Sequence, residues 1–478
     1  MTPRAAARRR VVYNAPFVRR AGSEPVPGRC SVDYPLWIPS IGPGVLMGLV
    51  AIAHVTVSHF AIGGGLLIAV SETLAARRGD DALRELARRS SFMLILVSTV
   101  FGAITGVGIW VVAGLVAPAA ISTLIHNYVW GWAIEWVFFI VEIVAALVYY
   151  ATWDTIRPGL HRAIGWIYFV AAYMSLVIIN GIITFMLTPG RWLETGAFWD
   201  GFFNPTYWPG LLLRTGITLI MAGAFVSFTL LRSLPEDRWR LARYLGIWLV
   251  AGCALALAGY LWWERALPEP VRSLFAGADP LLASLAATRT FLLAALAAVA
   301  VLSAAFYLAW PKGARLPAAV LLFAAAVCFF GGYERLREGT RKPFLIRDYQ
   351  FSNGLRVADI AAVNESGVLA RAPWAARGAA PDPVDRGRRI FMAECRACHT
   401  IDGYLGIRAR LPDDRDMIYG VVYSLYEKGE AYAEGADTAS LDYPFMPPFV
   451  GTEDELEALV DYLAKLAARG QPSQGASR

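Results

Sequence analysis

Charged side chains are scarce in this 478-residue chain, in which Asp, Glu, Lys and Arg together make up 17%. An average soluble domain carries about 25%, so too few charged groups remain to cover a surface exposed to water. Five cysteines are too few for a disulfide scaffold, and 56% hydrophobic residues with sixteen tryptophans exclude a disordered or collagen-like chain. An integral membrane protein is the leading class.

The net charge of +6 is unevenly distributed along the chain. The first 35 residues contain seven arginines and two acidic residues, whereas residues 380–478 contain 11 basic and 17 acidic residues. The basic groups therefore give no indication of nucleic-acid binding. The arginine-rich tail, residues 1–40, is not a secretory signal peptide, because no apolar stretch follows the arginines before Pro35.

Apolar stretches that approach the length needed to cross a bilayer, about 20 residues, occur eight times. The sequence therefore predicts an all-α fold, a polytopic bundle of about eight transmembrane helices followed by a small soluble all-α domain. The last stretch is the shortest. The predicted spans are Val45–Val70, Phe92–Val116, Tyr128–Tyr150, Ile164–Leu187, Leu211–Leu231, Leu245–Trp263, Phe291–Trp310 and Leu316–Gly332.

Lysine and arginine are concentrated in alternate loops. The loops after spans 1, 3, 5 and 7 contain thirteen of them, and the loops after spans 2, 4 and 6 contain four. Because cytoplasmic loops carry the excess of basic residues, the odd loops are predicted to be cytoplasmic. Both termini then lie in the periplasm of a bacterium whose inner membrane the chain spans. The basic N-terminal tail conflicts with this orientation, and we give the loop count more weight.

The strongest motif is Cys395-Arg396-Ala397-Cys398-His399. A CxxCH sequence attaches haem through two thioethers and places its histidine on the iron. A redox-active or zinc-binding CxxC is the alternative. The preceding residues, Gly387–Glu394, are predicted to form a helix that leads into the motif.

Met446 lies downstream in a Pro-Phe-Met-Pro-Pro-Phe run, and Thr452 with early acidic residues then begins a predicted helix. A thioether sixth ligand favours a high reduction potential, although Met446 can also be read as a core residue. The segment 383–470 closely resembles a class I cytochrome c domain. The resemblance implies one covalent haem c, attached outside the cytoplasm.

Ionisable groups gather in the predicted outer half of the membrane region, where they are costly and usually functional. His54 can be a haem ligand or a helix–helix hydrogen-bonding residue, and His126 a ligand or an interfacial residue. Glu338 can serve a haem or form an ion pair with Arg341. His59 points to a different face of its helix from His54, and His161 is expected at the cytoplasmic surface.

Residues 41–345 resemble subunit I of the cytochrome bd oxidase family. The resemblance is carried by five motifs, each weak alone but all in the family's order. They are His54 with Glu72 eighteen residues later and Gly63-Gly64-Gly65 between; Phe101-Gly102-Ala103-Ile104-Thr105-Gly106; Glu135 and Glu142 before Trp153-Asp154; Asn180-Gly181 before Thr188-Pro189; and Glu338-Gly339-Thr340-Arg341-Lys342-Pro343.

The resemblance implies roles for single residues. The histidine matching His54 binds the oxygen-reactive haem in this family, and the glutamate matching Glu338 ligates a neighbouring high-spin b haem, with Arg341 nearby. The carboxylates matching Glu135 and Glu142 lie toward the haem pocket or a proton route. One or two non-covalent haems of b or d type are therefore expected, and a second membrane subunit is expected as a partner because the family normally has one.

The departures from the family pattern concern its low-spin haem and its quinol site. Arg214 and Phe291, or a residue near it, stand where the family has histidine and methionine ligands. The quinol-binding loop is reduced to about Glu264–Thr290, Trp110 replaces a glutamate, and a ninth helix is missing. These losses put quinol oxidation at the usual site in doubt and fit a haem c that exchanges electrons with a periplasmic carrier.

The sequence thus predicts a tail (1–40), a transmembrane domain (41–345), a linker (346–382) and a cytochrome c domain (383–470). The first hypothesis for function is a membrane oxidoreductase that reduces a small oxidant such as O2. The alternatives are a non-catalytic electron-transfer subunit of a larger complex and quinone chemistry at a non-standard site. Candidate catalytic residues are Glu135, Glu142 and Arg341; candidate cofactor-binding residues are Cys395, Cys398, His399, Met446, His54, Glu338, Arg214 and His126. Of the latter, His399, Met446, His54 and Glu338 are the candidate iron ligands.

Overall fold

The computed structural model describes residues 35–275, 280–372, 375, 382–435 and 443–468. The arginine-rich tail is predicted to span residues 1–40, of which residues 1–34 lie outside the described residues. Helices dominate the described chain, which confirms the predicted all-α class. Its two strands, β1 (Phe344–Ile346) and β2 (Gln350–Phe351), form one antiparallel hairpin.

Eight described helices are long and apolar enough to cross a membrane, as predicted. Spans 1 to 8 are Gly42–Arg78, Asp81–Val116, Val129–Ala151, Pro158–Leu187, Tyr207–Leu230, Pro235–Ala266, Ser284–Ala309 and Leu316–Arg341. Most extend beyond the apolar stretches, because polar turns continue the helices into the interfaces. The sequence suggested that Glu338 and Arg341 lie just beyond the end of span 8. In the structure, both lie in the last turns of that helix.

Spans 2 and 7 contain π-helical turns at Ile95–Gly102 and Ala304–Ala309. Shorter helices connect or follow the spans. These are Pro118–Asn127, Trp192–Thr195, Phe198–Phe202, Glu269–Ser273, Pro311–Gly313, Val357–Asp359, Ile360–Ser366, Val368–Arg371, Pro383–Glu394, Arg408–Arg410, Arg415–Glu434 and Glu453–Ala468.

Span 5 lies at the centre of the bundle, because 72% of its most apolar stretch is buried. The corresponding stretches of spans 2 and 3 are only 11% and 17% buried. Span 1 packs closely on span 5, because a Cβ at Gly63 would lie 1.9 Å from the carbonyl oxygen of Thr218. Small residues permit such backbone contact between membrane helices. The bundle thus has a packed core and an open side at spans 2 and 3.

The segment after span 8, expected as a linker, contains folded elements where it is described. Phe344 and Phe351 from the hairpin and Ile360 from the next helix belong to the same buried cluster as the C-terminal domain. The predicted helix start at Thr452 is confirmed, since the Thr452 amide donates to Glu455 Oε2 (3.2 Å) and the Glu455 amide donates to Thr452 Oγ1 (3.4 Å).

Candidate haem sites

The CxxCH motif follows the helix Pro383–Glu394 directly. Amides of Cys398 and His399 both donate to the Cys395 carbonyl, at 3.2 and 3.0 Å, so the motif continues as one tight turn. This turn brings residues three and four apart to the same side. His399 Nδ1 lies 3.1 Å from the Leu405 carbonyl and donates to it, which leaves Nε2 free for iron. Burial lowers the pKa of His399, which favours the neutral, ligating form.

The loop that carries Met446 is held by a buried lysine. Lys428, 2% exposed, donates from Nζ to the carbonyls of Tyr443 and Met446, both at 3.0 Å. Burial lowers the pKa of Lys428 to about 8. The thiols, the free Nε2 and a restrained thioether loop match the donors that a haem c needs. The donor set of this domain therefore fits the group.

In the membrane part, the start of span 5 and the end of span 8 bring charged groups together. Arg214 Nη2 lies 2.9 Å from Glu334 Oε1, and Arg337 Nε lies 3.1 Å from Glu334 Oε2. Arg337 also bonds Glu338 at 2.7 Å, and Arg341 forms an ion pair with Glu338. Three guanidinium groups thus face two carboxylates, which leaves an excess of one positive charge.

Three nitrogen atoms of this basic cluster are buried without a hydrogen-bond partner: Arg214 Nε, Arg337 Nη1 and Arg341 Nε. The Glu338 side chain is 43% exposed, in contrast to Arg337 and Arg341, which are 10% and 7% exposed. Buried N–H donors without acceptors suit an anionic group. A carboxylate that faces open space suits an iron centre. The cluster therefore fits haem propionates and a Glu338 ligand.

His54 lies half-buried on span 1, beside the end of the π-helical turn in span 2. Its Nδ1 lies 3.2 Å from Thr105 Oγ1, whose own hydroxyl donates to the Phe101 carbonyl at 2.8 Å. Thr105 is then the acceptor for His54 Nδ1–H, so Nε2 is free. A Cβ at Gly106 would lie 3.1 Å from His54 Cε1, so glycine makes room for the ring. This arrangement fits a haem ligand.

His59 is different, since it is only 3% exposed and packs against the Phe330 ring at a centroid distance of 4.4 Å. Its Nδ1 donates to the Val55 carbonyl (2.7 Å), and its Nε2 has no partner. His126 lies exposed on the helix Pro118–Asn127, where Nδ1 bonds the Ser122 carbonyl at 2.7 Å. Among the described residues, the hydrogen bonds of His126 are to Ser122 and not to the basic cluster.

Glu135, Glu142 and Tyr149 follow one another at seven-residue intervals on span 3. Two helical turns separate each pair, about 10.5 Å along the axis, so the three side chains form a row on one face. The Tyr168 hydroxyl of span 4 lies 3.3 Å from Glu142 Oε1 and 3.0 Å from the Ala61 carbonyl, and its one proton can be donated to either acceptor. The row runs from near the start of span 3 toward its end.

At the far end of this row, Tyr149 donates to Glu72 Oε2 and His161 Nδ1 bonds Glu72 Oε1, both at 2.8 Å. His161 Nε2 also faces an acceptor, the Tyr149 carbonyl, at 2.9 Å. His161 is only 3% exposed, so the expectation of a surface histidine is wrong. A cavity of about 10 Å³ is lined by Tyr149, which bonds Glu72, and by Tyr168, which can bond Glu142.

Comparisons with known proteins agree with both parts of the chain. Residues 384–467 match the family model for cytochrome c. The C-terminal part is a cytochrome c domain. The structure of a bd oxidase from Geobacillus thermodenitrificans matches with a TM-score of 0.54 and 16% sequence identity, and the match covers 65% of this chain and 90% of that one. No curated protein matches the chain.

The membrane part thus has the fold of a bd oxidase, as the sequence motifs predicted, and continues into the cytochrome c domain. This combination makes the chain a multi-pass membrane haem protein for electron transfer, with a c-type haem bound covalently. At 16% identity the structural likeness establishes the fold and leaves single residue roles as proposals.

Sequence reasoning did not single out Glu334, Arg337, Tyr168 or Lys428. The signal for the first two was present, because Tyr333-Glu334-Arg335-Leu336-Arg337-Glu338 is a charged run at the end of an apolar helix. Tyr168 carried no such signal because its partners lie on other spans, and Lys428 carried none because its acceptors are backbone carbonyls.

Proposed function

We propose that this protein is a membrane haem oxidoreductase of the bacterial inner membrane. A periplasmic carrier reduces the cytochrome c domain, electrons pass to haem held between His54 and the basic cluster, and a small oxidant such as O2 is reduced there. The observation that carries the proposal is the presence of two ligand-capable groups: His54 on span 1 has a free Nε2, and Glu338 on span 8 is half-exposed beside buried guanidinium N–H groups without partners.

The residues of this chain would hold one or two non-covalent haems of b or d type. His54 and Glu338 supply the iron ligands, and Arg337 and Arg341 supply N–H donors for propionates. Bound haem would supply reversible one-electron chemistry and a site for the oxidant. Thr105 orients the His54 ring, and Arg341 holds the Glu338 carboxylate in place.

The Arg214–Glu334 pair supports haem c as the electron donor to this site. Arg214 stands where the bd oxidase family has a histidine ligand to its low-spin haem, and its guanidinium is engaged with Glu334 and lies 5.5 Å from the centroid of the Tyr333 ring. A permanently charged arginine does not ligate iron. A c-type haem would thus take the place of the family's low-spin haem in the electron route.

Protons for the oxidant would come through the row on span 3. His161 and Glu72 receive them near the basic loops, Tyr149 and the small cavity relay them, and Tyr168 and Glu142 pass them toward Glu135. The cavity has room for about one water molecule. Arg84 and Arg88, both paired with Asp154, lie at the cytoplasmic surface by the positive-inside rule.

A second membrane subunit is the proposed neighbour of spans 2 and 3. Their outward faces expose large apolar side chains such as Ile104 (67%) and Trp136 (61%), and Glu135 and Glu142 on span 3 are only partly covered. Half-buried carboxylates at membrane depth are costly against lipid. Cover by haem and by a second subunit would remove this cost.

The direct test is a pyridine haemochrome count on the purified full-length protein. We expect one haem c with one or two non-covalent haems, and we expect His54→Ala to lose a non-covalent haem while haem c stays. Gly48→Ala is the matched control on span 1, because a Cβ there meets no atom within 4 Å. Full retention of non-covalent haem in His54→Ala, with normal electron transfer, would instead favour a non-catalytic relay subunit.

A further inference from the structure

The segment before span 1 connects the membrane part to the cytochrome c domain. The Leu36 amide donates to the Leu115 carbonyl at the end of span 2, at 2.7 Å. The neighbouring Trp37 packs against the hydrophobic cluster of the cytochrome c domain. Successive residues of one short segment thus bind to both parts.

The haem-binding loop lies directly on this segment. The Tyr404 amide donates to the Ser40 carbonyl, and Arg396 Nη1 donates to the Pro35 carbonyl, both at 2.9 Å. Arg396 stands inside the CxxCH motif and is only 7% exposed, and burial lowers its pKa to about 10. A buried guanidinium so close to the haem attachment site indicates that the motif and the segment before span 1 form a stable contact.

Two glycines allow the close approach. A Cβ at Gly403 would lie 2.0 Å from the Ser40 carbonyl oxygen, which no side chain can accommodate without a shift of the backbone. Gly42, at φ +69°, lies where a Cβ would meet Thr400 Cγ2 at 3.2 Å. The loop after His399 therefore contacts the first residue of span 1.

The Met446 side of the cytochrome c domain also contacts the membrane part. Phe445, next to Met446, packs against the hydrophobic cluster of the membrane part. From the β1–β2 hairpin, Asn353 Nδ2 donates to Glu394 Oε2, immediately before Cys395, at 2.9 Å. Contacts from the His399 side, the Met446 side and the motif helix all reach elements that belong to or follow the membrane bundle.

We propose that residues 35–42 are a docking site that holds the cytochrome c domain permanently over span 1, so that the domain works from one fixed position and does not swing on a tether. Span 1 carries His54 twelve residues after Gly42, about 18 Å along the helix. His399 and His54 would each hold a haem, and one electron would pass from the first haem to the second without a bond change. This electron route rests on the proposed function, whereas the docking itself does not.

A disulfide across the contact tests the fixed position. We would introduce Ser40→Cys with Tyr404→Cys into the full-length protein, in a background with Cys30→Ser and Cys328→Ser. If the domain stays docked, the disulfide forms without added catalyst in nearly all molecules, and haem c transfers its electron as fast as in the single-cysteine controls. A low yield of the disulfide, or transfer slowed roughly tenfold or more by it, would overturn the proposal.

Gly403→Ala provides a second test, with Gly420→Ala as the control in the same domain, because a Cβ at Gly420 meets no atom within 4 Å. We expect Gly403→Ala to raise amide hydrogen exchange in residues 36–42 and 400–407 by roughly tenfold or more, because overpacking opens the contact. The absorption spectrum of haem c should not change. Equal exchange in both variants would contradict docking. If wild-type protein shows no transfer at all, the proposed function fails, while disulfide yield and exchange still decide the docking.

Discussion

Arg214 Nη2 on span 5 lies 2.9 Å from Glu334 Oε1 on span 8, and the two side chains are 1% and 10% exposed. This buried pair ties the central helix of the bundle to the helix that carries Glu338 and Arg341. Under the proposed function, Arg214 also places a fixed charge where the resemblance to the bd oxidase family implies a haem ligand. The pair therefore bears on both the stability of the fold and the electron route.

Breaking this pair should destabilise the protein strongly. Arg214→Met leaves Glu334 buried with one cation fewer, and removal of one partner from a buried ion pair costs about 3–5 kcal/mol. Arg289→Met is the control, because the Arg289–Glu264 pair is 39% and 21% exposed and such pairs contribute about 0–1 kcal/mol. Unfolding in detergent measures both. Equal losses of stability would show that the Arg214 pair has no special weight.

The sequence predicted the elements that depend on local pattern. Eight spans follow from apolar length, and the Cys395–His399 turn follows from its motif. The sequence could not predict that His161 is buried, because its partner Glu72 is 89 residues away and only the packing of spans 1, 3 and 4 brings them together. The role of Lys428 was hidden for a different reason, because its two acceptors are backbone carbonyls, which carry no sequence signal.

Lys428 should control the ligation of haem c. Lys428→Met removes two hydrogen bonds from a charged donor to the Met446 loop, each worth about 1.5–3 kcal/mol. We expect the thioether-to-iron absorption band to weaken and the reduction potential of haem c to fall, with haem still attached. Lys465→Met, at an exposed position of the same domain, should change neither property. An intact band in Lys428→Met would show that Met446 is held by other contacts.

Glu394 should make the C-terminal domain sensitive to pH. Burial and the nearby Glu455 raise the pKa of Glu394 to about 8, although Asn353 and Arg371 favour its charged form. A carboxyl whose pKa is raised on folding binds more protons in the folded state, so stability falls as pH rises from near 4.5 toward 8. Thermal unfolding of the full-length protein should show a loss of about 1.4 kcal/mol per pH unit at most.

Glu394→Gln should remove most of this dependence, because glutamine keeps the contact with Asn353 and does not titrate. Thermal unfolding at pH 6 and at pH 8 measures the effect in both proteins. A slope that persists unchanged in Glu394→Gln would assign the dependence to another group.

The proposed proton row predicts a selective loss of turnover. Glu142→Gln should slow oxidant reduction by about 10²-fold or more, in the range of lost acid–base groups, while haem content stays normal. Tyr168→Phe should have a smaller effect in the same direction, since it removes one hydroxyl. Glu85→Gln, on an exposed pair with Arg89, is the control. Oxygen consumption with a reduced c-type donor measures all three, and normal turnover in Glu142→Gln would exclude this row.

The most direct measurement is the carbon monoxide difference spectrum of the reduced full-length protein, taken for wild type and for His54→Ala. An open iron site held by His54 predicts a non-covalent, high-spin haem that binds carbon monoxide in the wild type, and a loss of that signal in the variant while haem c remains. A wild-type protein in which no non-covalent haem binds carbon monoxide would contradict the proposed oxidant-reducing site.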